Sequence, residues 1–192
     1  MRFSGKNSKH IVTLVFGLLF SITTQFAPVL AQAQTSNLDA LFAELQKPDL
    51  QGWKKVQEKI LTAWAHSGSD TMDLLLQRGN DALQEGRIED AIGHFSALID
   101  HAPDFAEGWN ARATAFYLAG EYGLSIQDIQ QTLALNPRHF GAMAGLGRIL
   151  EQMERPKQAL AIYRHAFAVH PHMPDVIKAI ERLEKQVEGT AL

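Results

Sequence analysis

The residues of this sequence whose types and spacing could do chemistry include His170-Pro171-His172-Met173-Pro174, written HPHMP. Two imidazoles one residue apart and a nearby thioether are potential transition-metal ligands. A structural zinc site needs about four converging ligands, and a chain without cysteine would have to recruit His165 or distant carboxylates. The two prolines are typical of a turn between helices. We therefore predict a turn at HPHMP, with no metal and no cofactor.

The segment GAMAGLG at 141–147 has glycines at a spacing that can cradle phosphate. That use requires a preceding strand and a helix that starts immediately afterwards. This segment follows a predicted turn and lies within a predicted helix, so close helix packing is favoured. The sequence also lacks a GxSxG elbow, an HExxH pair and a nucleophilic cysteine. We predict that the protein is not an enzyme.

A repeat of 34 residues sets the positions of these stretches, since Pro103, Pro137 and Pro171 follow one another at that step. Three further series keep the same step: Gly79, Ala113 and Gly147; Ala91, Ser125 and Ala159; and Phe95, Ile129 and Tyr163. Small residues let two helices approach closely, and large side chains fill the remaining space. Gly86 and Gly120 are suited to end a first helix, and each proline stops a second. Each repeat is therefore predicted to be a helical hairpin.

This pattern resembles the tetratricopeptide repeat (TPR) family, whose units are helix-turn-helix hairpins of 34 residues. The resemblance covers residues 72–173, and in the second unit it includes Trp109, Ala113, Phe116, Gly120, Ser125 and Pro137. It implies an all-α fold, an α-solenoid of three repeats. The sequence departs from the family pattern at Thr132, Arg78 and Arg112. We expect both arginines to cover apolar surface with their stems while the guanidinium groups stay in water.

Helices are predicted at both ends of the repeats, because a stack needs terminal elements with one polar face. Residues 174–192 contain an apolar stripe at helical spacing and form the predicted capping helix and tail, after repeats over 70–173. Residues 34–69 predict a helical pair, either a degenerate fourth repeat or an N-terminal cap. Within this pair, Trp53 and Trp64 indicate core packing if buried and a seam with a partner if exposed.

The histidines near the turns have a second predicted feature. His101 and His170 lie at the ends of second helices, where the helix dipole favours a protonated imidazole. We expect replacement of both His170 and His172 to leave the fold and partner binding largely intact.

Residues 1–33 have the pattern of a secretory signal peptide. Three cations precede an apolar run at 11–20, and Ala31 or Ala33 offers a cleavage site. The run is shorter than the roughly 20 residues that span a bilayer, so we expect cleavage rather than anchoring, and a periplasmic or secreted protein. The chain has 18 Lys and Arg against 21 Asp and Glu; without residues 1–33 the balance is 15 against 21. This acidic balance argues against a nucleic-acid partner.

The resemblance also implies a functional surface, because the first helices of TPR units line a concave groove that binds a peptide or a partner's helix. The predicted groove residues are Asn80, Gln84, Glu107, Asn110, Thr114, Tyr117, Arg148 and Arg182. Tyrosine is a typical interface anchor, and an asparagine amide can bond to a ligand's backbone. Acids come early along this surface and bases late, which predicts a charge gradient that orients a partner.

Some TPR domains hold a partner's C-terminal carboxylate with lysine, asparagine and arginine. Of those positions only Asn80 has the expected residue type, while the others are Leu76, Ala111, Gly141 and Gly145. A clamp for chaperone tails is therefore not expected.

Together these features predict a non-catalytic interaction module that binds a segment of another protein in the groove, in the periplasm. The alternative is a structural or assembly protein, in which a second copy or the chain's own N-terminal helices fill the groove, making the protein a homo-oligomer in the first case. Trp53 and Trp64 are the residues whose exposure bears on the choice.

Overall fold

The computed structural model describes residues 37–189, with side chains as far as Glu188, so the predicted signal segment 1–33 lies outside the described residues. Within this range the chain forms nine helices and no strand, which confirms the predicted all-α class. They are α1 (37–45), α2 (Trp53–Trp64), α3 (Asp70–Gln84), α4 (Ile88–His101), α5 (Ala106–Leu118), α6 (Tyr122–Leu135), α7 (Phe140–Gln152), α8 (Pro156–Val169) and α9 (Pro174–Gly189). None of the described helices is long and apolar enough to cross a membrane.

The contacts divide the chain into residues 1–39 and 40–192. Of the first unit only residues 37–39, the start of α1, are described. The second unit contains the rest of α1 and all the other helices.

The repeats form three hairpins, α3 with α4, α5 with α6 and α7 with α8, and each hairpin packs on the next. Helix α9 packs on α8 and follows the third hairpin as the predicted terminal helix. The first two hairpins turn at Gly86 and Gly120, whose φ angles of 74° and 80° are left-handed. Glu154 adopts φ 57° in the third, a conformation that costs an L residue with a Cβ roughly 1–2 kcal/mol.

Close approach of the two helices in a hairpin depends on the small-residue positions found in the sequence. A Cβ at Gly147 would lie 2.6 Å from Cε1 of Tyr163, and a Cβ at Gly79 would overlap the Phe95 ring. The second hairpin has Ala113 at this position, and the buried Ser125 hydroxyl donates a 2.7 Å hydrogen bond to its carbonyl. The series are therefore matched small and large surfaces at the helix crossings.

An ion pair joins α5 and α6 inside the second hairpin. Arg112 donates through Nε and Nη2 to the two carboxylate oxygens of Asp128 at 2.7 and 2.9 Å, and through Nη1 to Ser96 of α4. Asp128 is buried, and the Arg112 guanidinium lies 5.1 Å from the Trp109 ring centroid. The expectation that this guanidinium stays in water is therefore wrong, although Arg78 is exposed as expected.

Helices α1 and α2, which we call the N-terminal arm, contact the repeats through two tryptophans that pack at the turns between repeats. Trp53 of α2 packs edge-on against His170, at a centroid distance of 5.5 Å, in the turn between α8 and α9. Trp64, near the end of the same helix, stacks on His139 at 4.5 Å in the turn between α6 and α7. The order of contacts along α2 is thus opposite to the order of the repeats. Both tryptophans are partly buried by these contacts.

The HPHMP stretch forms the turn between α8 and α9, and its histidines contact the end of α1 and the first half of α2. His170 is fully buried, with Nε2 2.7 Å from the Gln57 side-chain oxygen. The His172 Nε2 lies 2.9 Å from the carbonyl of Leu45 in α1. Gln46 donates to the carbonyls of Ala168 and Val169 and so satisfies the C-terminus of α8. These histidines therefore join the two ends of the described chain.

Burial decides the protonation of His170. Desolvation, assisted by the Coulombic effect of neighbouring His172, lowers the pKa of His170 from 6.5 to about 4. The expectation that the helix dipole favours a charged imidazole is wrong at this position, because removal from water costs the charged form more. The contacts of His170 and His172 also argue against their being dispensable for the fold.

Removing one partner of the Arg112–Asp128 pair is expected to be more damaging than removing both. Asp128→Leu leaves a partly buried guanidinium unpaired, and Arg112→Leu leaves a buried carboxylate unpaired; each should lower the free energy of unfolding by about 3–5 kcal/mol. The double variant should be much closer to the wild type. Urea denaturation of the four proteins measures these differences.

The exposed pair Arg164–Glu184 is the matched control, and Arg164→Leu should have a much smaller effect than Arg112→Leu. A double variant as unstable as the two single changes combined would show that the ion pair is not the cause.

Lower pH is expected to destabilise the protein through His170. In the unfolded chain this imidazole has its ordinary pKa of 6.5, whereas the folded value is about 4. The unfolded state therefore binds more protons between these values. As the pH falls from 6.5 to 4, the free energy of unfolding should fall by up to about 3 kcal/mol. Urea denaturation across this pH range checks the slope.

His170→Gln should be less stable at neutral pH and should flatten the slope. His101→Gln is the matched control, because His101 is also the residue at a helix end but is exposed. An NMR titration that gives His170 a pKa of 6.5 or higher would contradict the prediction.

Candidate functional site

A pocket of about 60 Å³ lies between α5 and α7, with α6 contributing to its wall. Its lining is Asn110, Ala113, Thr114, Tyr117, Ser125, Ile129, Gly141, Ala142, Gly145, Arg148 and Ile149. Nine of these eleven residues come from two neighbouring first helices, and Ser125 and Ile129 come from α6. We call this set of residues the groove pocket.

Four of the eight predicted groove residues line the groove pocket, namely Asn110, Thr114, Tyr117 and Arg148. The Arg148 guanidinium carbon lies 5.9 Å from the Tyr117 ring centroid, within the range of a cation–π contact. The ring of Tyr117 also packs against Tyr122 at 5.7 Å, with a tilt of 30°. Tyr117 is partly buried and Arg148 is exposed. The pocket thus has an aromatic wall with a cation at its rim.

Glu107 lies at the start of α5 and links the groove to the N-terminal arm. His139 accepts the Ala142 N–H at Nδ1, which caps α7, so its Nε2 carries the proton and donates to Glu107 at 2.9 Å. The other Glu107 oxygen accepts from the Asn110 side-chain amide at 3.0 Å. Because Trp64 stacks on His139, a chain of contacts runs from the arm to Asn110 in the pocket.

This chain was missed at the sequence level. Nothing in the spacing of the sequence predicted that His139 caps a helix or bonds to Glu107. Both depend on the distance between the starts of α5 and α7, which only the stacking of repeats determines.

Arg182 lies beyond the groove pocket and pairs with Glu151 of α7. The other Glu151 oxygen accepts from the Tyr163 hydroxyl at 2.8 Å. Burial and this carboxylate both raise the pKa of Tyr163, so it stays protonated and donates. Arg182 therefore helps to join α9 to α7.

Asn80 and Gln84 are exposed on α3 and do not line the groove pocket. Thr114, which does, donates its hydroxyl to the Asn110 carbonyl at 3.1 Å.

The predicted charge gradient is reduced because the acids along this face have partners. Asp73 accepts from Ser67 and lies 2.6 Å from His66. Partial burial alone would raise the pKa of Asp73, but the hydrogen bonds from Ser67 and His66 lower it on balance. Glu107 and Glu151 are bonded as described above. Among the residues that line the groove pocket, Arg148 is the charged one.

The stretches first considered for metal and phosphate have structural roles in the described chain. No group of three or more His, Asp or Glu side chains between residues 37 and 189 is placed to hold a metal ion. GAMAGLG lies inside α7, where Gly147 packs against Tyr163 while Gly141 and Gly145 line the groove pocket.

The architecture defines a class of protein, an α-solenoid of helix-turn-helix repeats with a pocket between successive first helices. The sequence profile of the tetratricopeptide repeat family matches residues 76–131 and 119–168. A TPR repeat-containing protein of Rhizobium etli is 31% identical over 153 residues, which cover 79% of this chain and 75% of that protein. The chain belongs to the tetratricopeptide repeat family.

Solved structures share the fold at lower sequence identity. The first TPR domain of Spaghetti (RPAP3), bound to the HSP90 peptide SRMEEVD, is 17% identical with a TM-score of 0.58, covering 61% of this chain and 93% of that one. The type III secretion chaperone SycD of Yersinia enterocolitica, in complex with a peptide of the translocator YopD, is 18% identical with a TM-score of 0.58. The match covers 62% of this chain and 95% of SycD.

Proposed function

We propose that this protein is a non-catalytic interaction module that binds a segment of another protein in its groove. The observation that carries the proposal is the groove pocket, where Tyr117, Asn110 and Arg148 converge between two first helices. Both structures compared above hold a peptide of another protein. Their low identity limits the comparison to the fold, so the partner must be argued from the residues of this chain.

The residue types of the groove pocket suit a peptide. An aromatic ring offers a large contact area with little rotamer entropy to lose. Asn110 already donates its amide N–H to Glu107, so its side-chain oxygen is the group left to accept from a peptide N–H. Arg148 adds a long-range attraction that accelerates encounter with an acidic segment.

A C-terminal carboxylate is not the expected ligand. Gly141 and Gly145 line the pocket and have no side chain to provide a cation at the positions where the carboxylate-holding TPR domains use lysine and arginine. An internal segment of the partner is therefore favoured over its last residues.

The arm bears on the alternative in which the chain's own N-terminal helices fill the groove. The aromatic contacts of α2 with the repeats are with His139, Phe140, His170 and His172, in or next to the turns between repeats. These contacts support a bracing role for α1 and α2 and a separate occupant for the groove pocket. The proposed location is the periplasm, supported by the signal-like pattern of residues 1–33.

Site-specific photo-crosslinking in cells that produce the protein tests this function. A benzoylphenylalanine at position 114 replaces an exposed groove residue and leaves Tyr117 in place; position 130, an exposed glutamine of α6 outside the pocket lining, is the matched control. We expect a discrete adduct with another protein at position 114 and none at position 130. Adding Tyr117→Ala should reduce the position-114 adduct at least about fivefold, because an interface anchor is removed.

Thermal melting of each variant shows whether the fold is retained. Equal capture at positions 114 and 130 would contradict groove binding. An adduct at position 114 that contains only a second copy of this chain would instead favour the self-assembly alternative.

A further inference from the structure

We propose that the groove pocket selects an internal, extended segment in which a small aliphatic side chain lies one or two positions from an aspartate or glutamate. The aliphatic side chain enters the pocket beside Gly145, and the carboxylate pairs with Arg148. This inference rests on the proposed function and specifies the chemistry of the partner.

Gly145 is the first part of the argument, because the fold does not require a glycine there. Glycine inside a helix destabilises it by roughly 0.5–1 kcal/mol relative to alanine. Gly147 and Gly79 have a packing reason, since a Cβ at either position would collide with an aromatic ring. A Cβ at Gly145 would have its nearest contact at 3.8 Å, with Cδ1 of Ile129, which is ordinary van der Waals distance.

The missing side chain at position 145 enlarges the groove pocket itself. Gly145 and Ile129 both line it, with Ala113 and Ile149 also present. The resulting volume of about 60 Å³ is small and mostly apolar in its walls. A small aliphatic side chain fits this space better than an aromatic one, and burying it there removes apolar surface from water on both partners.

Arg148 is the second part of the argument, because it supplies the charge that an occupant must complement. It lies three residues after Gly145 on α7, which places the two on the same helix face. Of the acids on neighbouring helices, Glu107 is bonded to His139 and Asn110, Glu151 is bonded to Arg182 and Tyr163, and Asp128 is paired with Arg112. The charge at the rim therefore favours a carboxylate.

The spacing of these features limits the sequence of the ligand. Positions three apart on a helix have Cβ atoms about 5–6 Å apart, whereas an extended peptide advances about 3.3 Å per residue. The acidic residue should therefore lie one or two positions from the aliphatic residue. The Asn110 oxygen, also in the pocket lining, can accept the intervening backbone N–H.

Selection from a random library of linear 12-residue peptides on the purified full chain tests the inference. The library is displayed with a fixed protein following each peptide, so that free C-termini are not offered. We expect enriched peptides to carry Val, Ile or Leu within two positions of Asp or Glu, and to compete with crosslinking at position 114. Affinities are then measured by fluorescence polarisation with one enriched peptide.

Two variants separate the parts of the pocket. Gly145→Ala should weaken the peptide about tenfold by filling the pocket and should raise the melting temperature by about 1–3 °C. Gly93→Ala is the matched control, since Gly93 lies in α4 with nothing within 4 Å of an added Cβ; it should give a similar rise in melting temperature with unchanged affinity. Arg148→Gln should weaken peptide binding about fivefold at low salt. It should also abolish the preference for the acidic peptide over the same peptide with its Asp or Glu replaced by the neutral Asn or Gln.

The outcomes distinguish this inference from the proposed function on which it rests. Peptides that compete at position 114 but show no aliphatic–acidic pairing, with affinity unchanged by Gly145→Ala and Arg148→Gln, would overturn this inference and leave groove binding intact. Failure to select any peptide that competes at position 114 would overturn both. Retained affinity in Gly93→Ala together with its loss in Gly145→Ala supports the pocket assignment, because both variants gain helix propensity.

Discussion

Close contact between a small residue on one helix and a large side chain on the next is the constraint on which the repeats depend. The rings of Phe95 and Tyr163 occupy the space that side chains at Gly79 and Gly147 would take. In the second hairpin Ala113 and Ile129 make a less extreme pair, and the Ser125 hydroxyl bonds to the Ala113 carbonyl. Since each hairpin packs on the next, the distance between its two helices also determines where successive first helices lie. The groove pocket is a consequence of that spacing.

Polar interactions join specific helices and turns of the stack. The Arg112–Asp128 pair joins α5 to α6 and reaches Ser96 in the hairpin before. His139 and His170 are both buried at turns, and both lie against a tryptophan of α2. A buried imidazole with one donor and one acceptor can satisfy two neighbours at a turn, whereas a charged one is penalised by desolvation. The arm therefore contacts the turns through ring packing, and at His170 burial also lowers the pKa of the imidazole and keeps it neutral.

The contacts that run from the arm to the pocket connect His139 with a residue proposed to bind the partner. His139 caps α7 and bonds to Glu107, which in turn holds the Asn110 amide. The orientation of a proposed ligand-binding amide is thus supported by two residues outside the pocket. Such support reduces the rotamer freedom that a groove residue would lose on binding.

The 34-residue step and the types of residue at its small and large positions determined the helical hairpins, because helix crossing is a local steric problem that recurs in every copy. The same register placed Asn110, Thr114, Tyr117 and Arg148 on one surface, since residues at fixed helical spacing share a face. Asn80, Gln84 and Arg182 belong to the predicted groove set too, but they do not line the pocket, because its extent depends on neighbouring repeats as well as on register. Only the tertiary structure determined the contacts of the HPHMP histidines, the pairing of Arg112 and the path of the arm. The contacts of HPHMP with the arm join residues as far as 127 positions apart, and the repeat pattern specifies no partner outside the repeats. The Arg112–Asp128 pair spans 16 positions, the same separation as the small and large positions of a hairpin, but the pattern does not specify which polar side chains pair. A short-range pattern specifies which helix faces are buried, whereas the residues that cover those faces are determined only when the whole chain folds.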